Sequence, residues 1–275
     1  MSSPDVASIS RRAKIGHNVE IGPFTIVHDN VVLEDNVRIG SHCILGEPTV
    51  EQSSEPLVIG KNSLIRSHSV FYQGSQFGEG LQTGHQVTVR EGTIAGKNLK
   101  IGTLCDLQGN QTLGNYIRLL SSVHVGQHAV IKDFVWVYPY TVLTNDPHPP
   151  SEVRLGVTLE DFSIVATSCC LLPGVTVGNH ALVGAASLVK HDVEPGWVVS
   201  GQPAQKRMEL SKLKLKDGSG HLAYPWTRHF HRGYPEEIVA QWVQEANAYC
   251  ADQVMPLPIP TRASHASTAA RADRC

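Results

Sequence analysis

From Ile15 onward the chain can be cut every six residues into pieces that resemble one another: IGHNVE, IGPFTI, VHDNVV, LEDNVR, IGSHCI, LGEPTV. The register lapses between Glu51 and Val58, resumes with IGKNSL at Ile59 and runs on to VYPYTV at Val137–Val142. It lapses again from about Leu143 to Leu159 and returns in the stretch that contains VGNHAL and VGAASL. A six-residue period held this long predicts an all-β parallel β-helix, in which each coil rests only on its neighbours. Every sixth residue is aliphatic and stacks on its equivalent one coil away. Glycine often follows it, where a side chain would crowd the corner. Asn18, Asn30, Asn36, Asn62, Asn98 and Asn179 come two to three places later, suited to turns. An α-helical alternative fails because glycine recurs too often for helix interiors.

Aromatic residues make up only 6% of the 275, which fits an interior of stacked aliphatic side chains. A formal charge of −2 gives no basic field for nucleic acid. No apolar run reaches membrane-spanning length, and Met1–Ser10 lacks the apolar core of a signal peptide. The six cysteines form no CxxC pair, and most fall at repeat positions that a small buried residue can fill. Reduced, buried thiols are therefore expected, which favours the cytoplasm.

Coils expel insertions as surface loops, so the two lapses are the places to look for function. The longer one, near 143–159, holds Thr144-Asn145-Asp146-Pro147-His148-Pro149-Pro150 and is stiffened by its prolines. The expected layout is a helical domain over 1–207, a C-terminal extension over 208–255 and a disordered tail over 256–275. Within the extension, Pro235-Glu236-Glu237 opens a helix near 236–250, with Ile238, Val239, Trp242, Val243, Ala246 and Cys250 on one face. It is expected to cap the open end of the solenoid. Tyr224, Trp226, His229, Phe230, His231 and Tyr234 make the extension aromatic, suited to such packing or to stacking on a base.

The run Leu172-Pro173-Gly174-Val175-Thr176-Val177-Gly178, then Val183-Gly184-Ala185-Ala186-Ser187-Leu188-Val189-Lys190, Asp192-Val193 and Val199-Ser200-Gly201-Gln202-Pro203-Ala204, resembles the ending of hexapeptide-repeat acyltransferases. Gln202 stands where that family usually has Asn, and Gln205 where Lys is common. Thr83-Gly84-His85 with Arg90-Glu91, and the Thr144-Asn145-Asp146 loop, resemble the branch that acylates amino groups on nucleotide-linked sugars. The resemblance covers roughly residues 10 to 207. It implies a left-handed β-helix and a homotrimer with active sites in the clefts between parallel helices. It also implies acetyl-CoA or another acyl-CoA as co-substrate, and no metal. Ala185, Ala186 and Ser187 would let the pantetheine arm approach the backbone, and Gly201, Lys206 and Arg207 would lie near the nucleotide end.

Acyl transfer to an amine needs a neutral nitrogen, a well-placed thioester and a proton acceptor. An α-amino-like group has a pKa of about 8, so part of it is neutral near pH 7. Among 14 histidines, His85, in a mid-helix coil after Thr83-Gly84, and His124, downstream at a corner, are the candidates for the base, with His68 weaker and His17 and His180 as turn residues. Asn145 and Asp146 can orient the amine or an imidazole, or simply start an Asx-turn. Arg90, Glu91 and His148 are the candidates for holding the sugar. Three other readings remain. Sugar O-acetylation is the first, and a non-catalytic trimeric scaffold the second. The third is a zinc enzyme like the γ-class carbonic anhydrases, with His85, His124 and His128 as ligands, although the His124–His128 spacing differs from the usual one.

Overall fold

In a computed structural model of the chain, residues 6–49, 55–224 and 235–249 are described. The expected tail after 255, Cys250, Trp226, His229, Phe230, His231 and Tyr234 lie outside these residues. The chain divides into two compact units, Met1–Met208 and Glu209–Cys275.

The first unit is a left-handed parallel β-helix. Its short strands stack into three sheets of 10, 9 and 11 strands, parallel from coil to coil, called faces I, II and III here in the order the chain visits them. Three hexapeptides make one coil, so residues 18 apart stack: Thr88 on Asp106, Asp106 on His124, His124 on Val142. Along each two-residue strand one side chain points in and one out. Leu107, Val125 and Leu143 are fully buried, whereas Asp106, His124 and Val142 face outward. The 18-residue offset shortens to 16 in the last coil, where Leu182 pairs with Val198, and lengthens twice. Ile44 pairs with Val70 and Val142 with Cys170, offsets of 26 and 28. Both surpluses leave the helix between face I and face II.

Most corners hold a residue in the left-handed backbone region, φ between 49° and 62° where it is not glycine; the first two between faces I and II, at 10–13 and 28–30, do not. Asn18, Asn36, Asn62 and Asn98 occupy it as expected, but Asn30 and Asn179 do not. Phe24, Leu104, Tyr116, Phe134, Tyr140 and Phe162 do, although such bulky residues are unfavourable there by roughly 1–2 kcal/mol each. Stacking compensates at the corner between faces II and III. Asn18, Asn36 and Asn62 form an amide ladder there, with contacts of 3.3 and 3.2 Å. Three coils further up, the rings of Tyr116, Phe134, Phe162 and His180 lie face to face at 5.0, 4.9 and 4.7 Å. The interior is mainly aliphatic, with Phe71 and Phe77 meeting edge to face at 5.4 Å. The low aromatic content therefore hides an external ring column as well as an internal pair.

Burial pushes the His180 imidazole down to about 4. Between there and the ordinary value near 6.5, the unfolded chain takes up a proton that the folded chain refuses. Stability should therefore fall as pH drops through that window. The urea midpoint is expected to be lower at pH 5 than at pH 7, and His180→Phe should flatten the difference.

The inward corners explain the cysteines. A peptide carbonyl turned toward the interior needs a donor, and small inward side chains supply it: Thr25 to Gly40, Ser63 to Gly60, Ser69 to Arg66, Ser187 to Gly184. Cys105 and Cys169 do the same through sulfur, toward Leu120 and Gly184 at 2.9 and 3.1 Å. Cys43, Cys105, Cys169 and Cys170 are free thiols. Burial raises Cys105 to about 11 and raises Cys43 and Cys169 as well. These three should resist iodoacetamide at pH 8 in the folded protein and react once urea unfolds it, as counted by mass spectrometry.

Among its described residues the second unit contains a short 3-10 turn, Leu210–Lys212, an antiparallel bridge between Lys214 and Leu222, and one α-helix, Glu236–Tyr249. Val239 is buried on that helix and Ile238 half-buried. No helix among the described residues is long and apolar enough to cross a membrane.

Candidate functional site

Among the described residues, face I carries the one outward histidine on a strand whose partner is a carboxylate in register. His124 Nδ1 lies 3.1 Å from Asp106 Oδ2, and Gln108 Nε2 donates to the same oxygen at 2.6 Å. These bonds hold the Asp106 carboxyl below its ordinary range; the His124 bond contributes most, and the Arg90 charge adds to it. An ionised Asp106 requires Nδ1 of His124 to be the protonated nitrogen. Nε2, which bonds to none of the described residues, is then left as the lone-pair nitrogen. Such a pairing orients an imidazole as a base.

His124 lies on the strand His124–Val125 and not at a corner, two coils beyond His85. His85 is at the corner between faces III and I, exposed, with Nδ1 2.7 Å from Ser67 Oγ. His85 has a hydroxyl for its partner where His124 has a carboxylate. His128 sits at the corner between faces I and II with φ 61°. The three histidines weighed as zinc ligands thus occupy different parts of the coil. Among the described residues no three metal-ligating side chains gather.

The loop comes back to His124 through glycine. A Cβ on Gly126 would lie 3.0 Å from Asn145 Cβ and 3.1 Å from its amide carbon. The Asn145 side chain therefore lies over the backbone two residues past His124. At the other end of the loop, a Cβ on Gly156 would fall 1.9 Å from the His128 carbonyl oxygen, so only glycine permits that seating. Asp146 Oδ2 accepts from the Ser151 N–H at 3.3 Å and faces Arg154 Nη1 at 3.5 Å. Asp146 Oδ1 is buried without a partner, which is costly unless something else supplies a donor. His148 is exposed on the same loop. Behind the site, buried Gln111 donates from its side chain to the carbonyls of Val125 and Gly126 at 2.7 and 3.0 Å.

Arg90 and Glu91 close on each other in a two-pronged ion pair of 3.1 Å contacts, with the guanidinium over the Tyr72 ring. Both stand one coil below Gln108 and Gly109, at the edge of the Asp106–His124 pair. Ala185 and Ala186 are exposed at a late corner, whereas Ser187 turns inward, donating to Gly184 and accepting from the Gly201 N–H. Lys206 sits 2.5 Å from Glu194 and over the Trp197 ring, and Arg207 donates to Ser200. Reading the sequence for motifs missed Asp106 and Gln108. The 18-residue coil period was the available signal, since it places Asp106 directly beneath His124.

The family model for the bacterial transferase hexapeptide (six repeats) matches residues 12–47. The bifunctional protein GlmU of Thermotoga petrophila is 27% identical over 206 residues, covering 74% of this chain and 43% of that protein. GlmU of Mycolicibacterium smegmatis is 28% identical over 204 residues, covering 74% and 40%. The chain thus spans less than half the length of these relatives. Among solved structures, a UDP-N-acetylglucosamine acyltransferase from Arabidopsis superposes with a TM-score of 0.56 at 14% identity, over 91% of this chain and 92% of that one. That likeness is one of fold.

Proposed function

We propose, from the premise that this chain is a left-handed β-helix of transferase hexapeptide repeats, that it is an acyl-CoA-dependent acyltransferase acting on the amino group of a sugar, with a nucleotide-linked amino sugar as first choice. The observation that carries the reading is the Asp106–His124 pair, outward on face I with Nε2 unengaged, next to Asn145. The amine nitrogen attacks the thioester carbonyl while His124 Nε2 takes its proton. The tetrahedral adduct then collapses, the C–S bond breaks, and the proton passes to the departing sulfur. Asp106 holds the imidazole in the accepting tautomer and stabilises the imidazolium. Asn145 and the unpartnered Asp146 oxygen orient the amine. Holding the two reactants together can supply roughly 7–11 kcal/mol of the barrier, and the base about 10²–10⁴-fold more.

Arg90, Glu91 and His148 form the sugar side in this reading, with His85 next to it as an orienting group. Exposed Ala185 and Ala186 offer the pantetheine arm close access to the backbone, and Gly201 keeps that edge low. Lys206 and Arg207 would have to exchange Glu194 and Ser200 for phosphate oxygens. The homotrimer and the cytoplasmic location belong to the same proposal. Acylation of a sugar hydroxyl is the second reading. It is favoured by the same pair, because a hydroxyl depends on a base more than an amine does.

Calorimetric titration with acetyl-CoA and CoA, with zinc measured on the same sample, tests the class. Near one site per chain without zinc supports it. Stoichiometric zinc without CoA binding points to the metal enzyme, and neither signal to a scaffold. Turnover of nucleotide-linked amino sugars against their hydroxy counterparts, read by product mass, separates the two acceptors.

A further inference from the structure

The outer row at the corner between faces I and II runs Arg90, Gln108, Gly126, one residue per coil. Gln108 is the one of the three whose side chain bonds to the pair. Its backbone N–H is tied to the Val125 carbonyl at 3.0 Å, so the side chain grows from a main chain fixed to the strand of His124. Its amide then closes on Asp106 Oδ2 at 2.6 Å, the same oxygen that meets His124 Nδ1. Asp106 Oδ1 bonds to none of the described residues, so nothing else pins the carboxylate rotamer. We propose that Gln108 is a positioning residue, fixing the Asp106 carboxylate against His124 and setting how tightly that imidazole holds its proton.

The sign follows from the charges around the pair. Below it stand Arg90 and Glu91, locked to each other; above it Val142 brings no charge, and Cys170 lies one rung further. An N–H donated to a carboxylate stabilises its charge and so weakens its hold on the imidazolium. With that N–H removed, Asp106 should hold the His124 proton more strongly, and its carboxylate can swing toward Arg90. The base would then be both tighter and less well aimed.

The inference deepens the acyltransferase reading and rests on it only for the activity measurement. The test uses the full chain as wild type, Gln108→Met and Gln108→Glu. It records kcat/KM against pH and, in resting protein, the His124 ring titration by NMR, assigned by its loss in His124→Gln. In Gln108→Met both the acid limb and the ring titration should move up by about half a pH unit or more, and further in Gln108→Glu. The plateau of kcat/KM should fall about tenfold. Lower activity with both titrations unmoved would reduce Gln108 to a structural role and overturn the proposal, as would variants that match wild type throughout. A shifted ring titration in a protein that transfers no acyl group would uphold the positioning role and sink the acyltransferase reading.

Discussion

Replacing His124 by alanine is expected to lower kcat/KM about 10²–10⁴-fold while the circular dichroism spectrum stays that of wild type. The side chain faces outward on its strand, so its loss opens no hole in the core, and the inward neighbour Val125 is untouched. The loss should fall on kcat, because the proton moves in the transition state and not on binding. Asp106→Asn makes the sharper test. An amide in that place can donate to Nδ1, inverting the tautomer so that Nε2 carries the proton and cannot accept another. The activity lost should approach that of His124→Ala, with the binding of CoA unchanged. His85→Ala should cost far less, since Ser67 gives its ring no charged partner. Equal losses at 85 and 124 would mean that the pair does not act as the base.

Phe71→Ala is expected to destabilise the helix by about 3–5 kcal/mol, read from the urea midpoint. Phe71 is fully buried, and its ring meets Phe77 across the coil in a core filled mainly by aliphatic side chains. The large cavity cannot collapse, because the strands on either side are held in register with Ile44–Leu45 below and Thr88–Val89 above. Coils contact only their neighbours, so the damage should remain local. Hydrogen exchange should speed most in the coils around Phe71 and least near Val183. Uniform loss of protection would mean that the solenoid unfolds as one body.

Much of this was legible in the sequence because a β-helix converts spacing into position. The six-residue period fixes which residues face inward, and both loops appear as lapses in it. The corner signal was less complete. Asn18, Asn36 and Asn62 announce a left-handed turn, but Phe134 and Phe162 occupy the same backbone region because stacked rings stabilise what their own conformation disfavours. The site was half legible. His124 and Asn145 could be singled out by residue type, but Asp106 and Gln108 resemble ordinary solvated side chains until the 18-residue coil is laid over the sequence. Likewise Arg90 with Glu91, and Lys206 with Glu194, are already paired with neighbours, which no motif could reveal.

Both lapses in the repeat leave the helix along a single edge, between face I and face II. The other two edges keep strict length from the first coil to the last. Those edges are the rails that hold the register, and any change of length there would throw every coil above it out of step. The edge between faces I and II is free of that constraint. It has gained residues twice, five rungs apart, without disturbing a single stacked pair elsewhere. It also borders the face that presents His124. If His124 is the base, as proposed, the chemistry stays fixed on a strand and the adaptable surface lies on the adjoining edge, so a relative could acquire a new acceptor by rewriting one loop while inheriting the base unchanged.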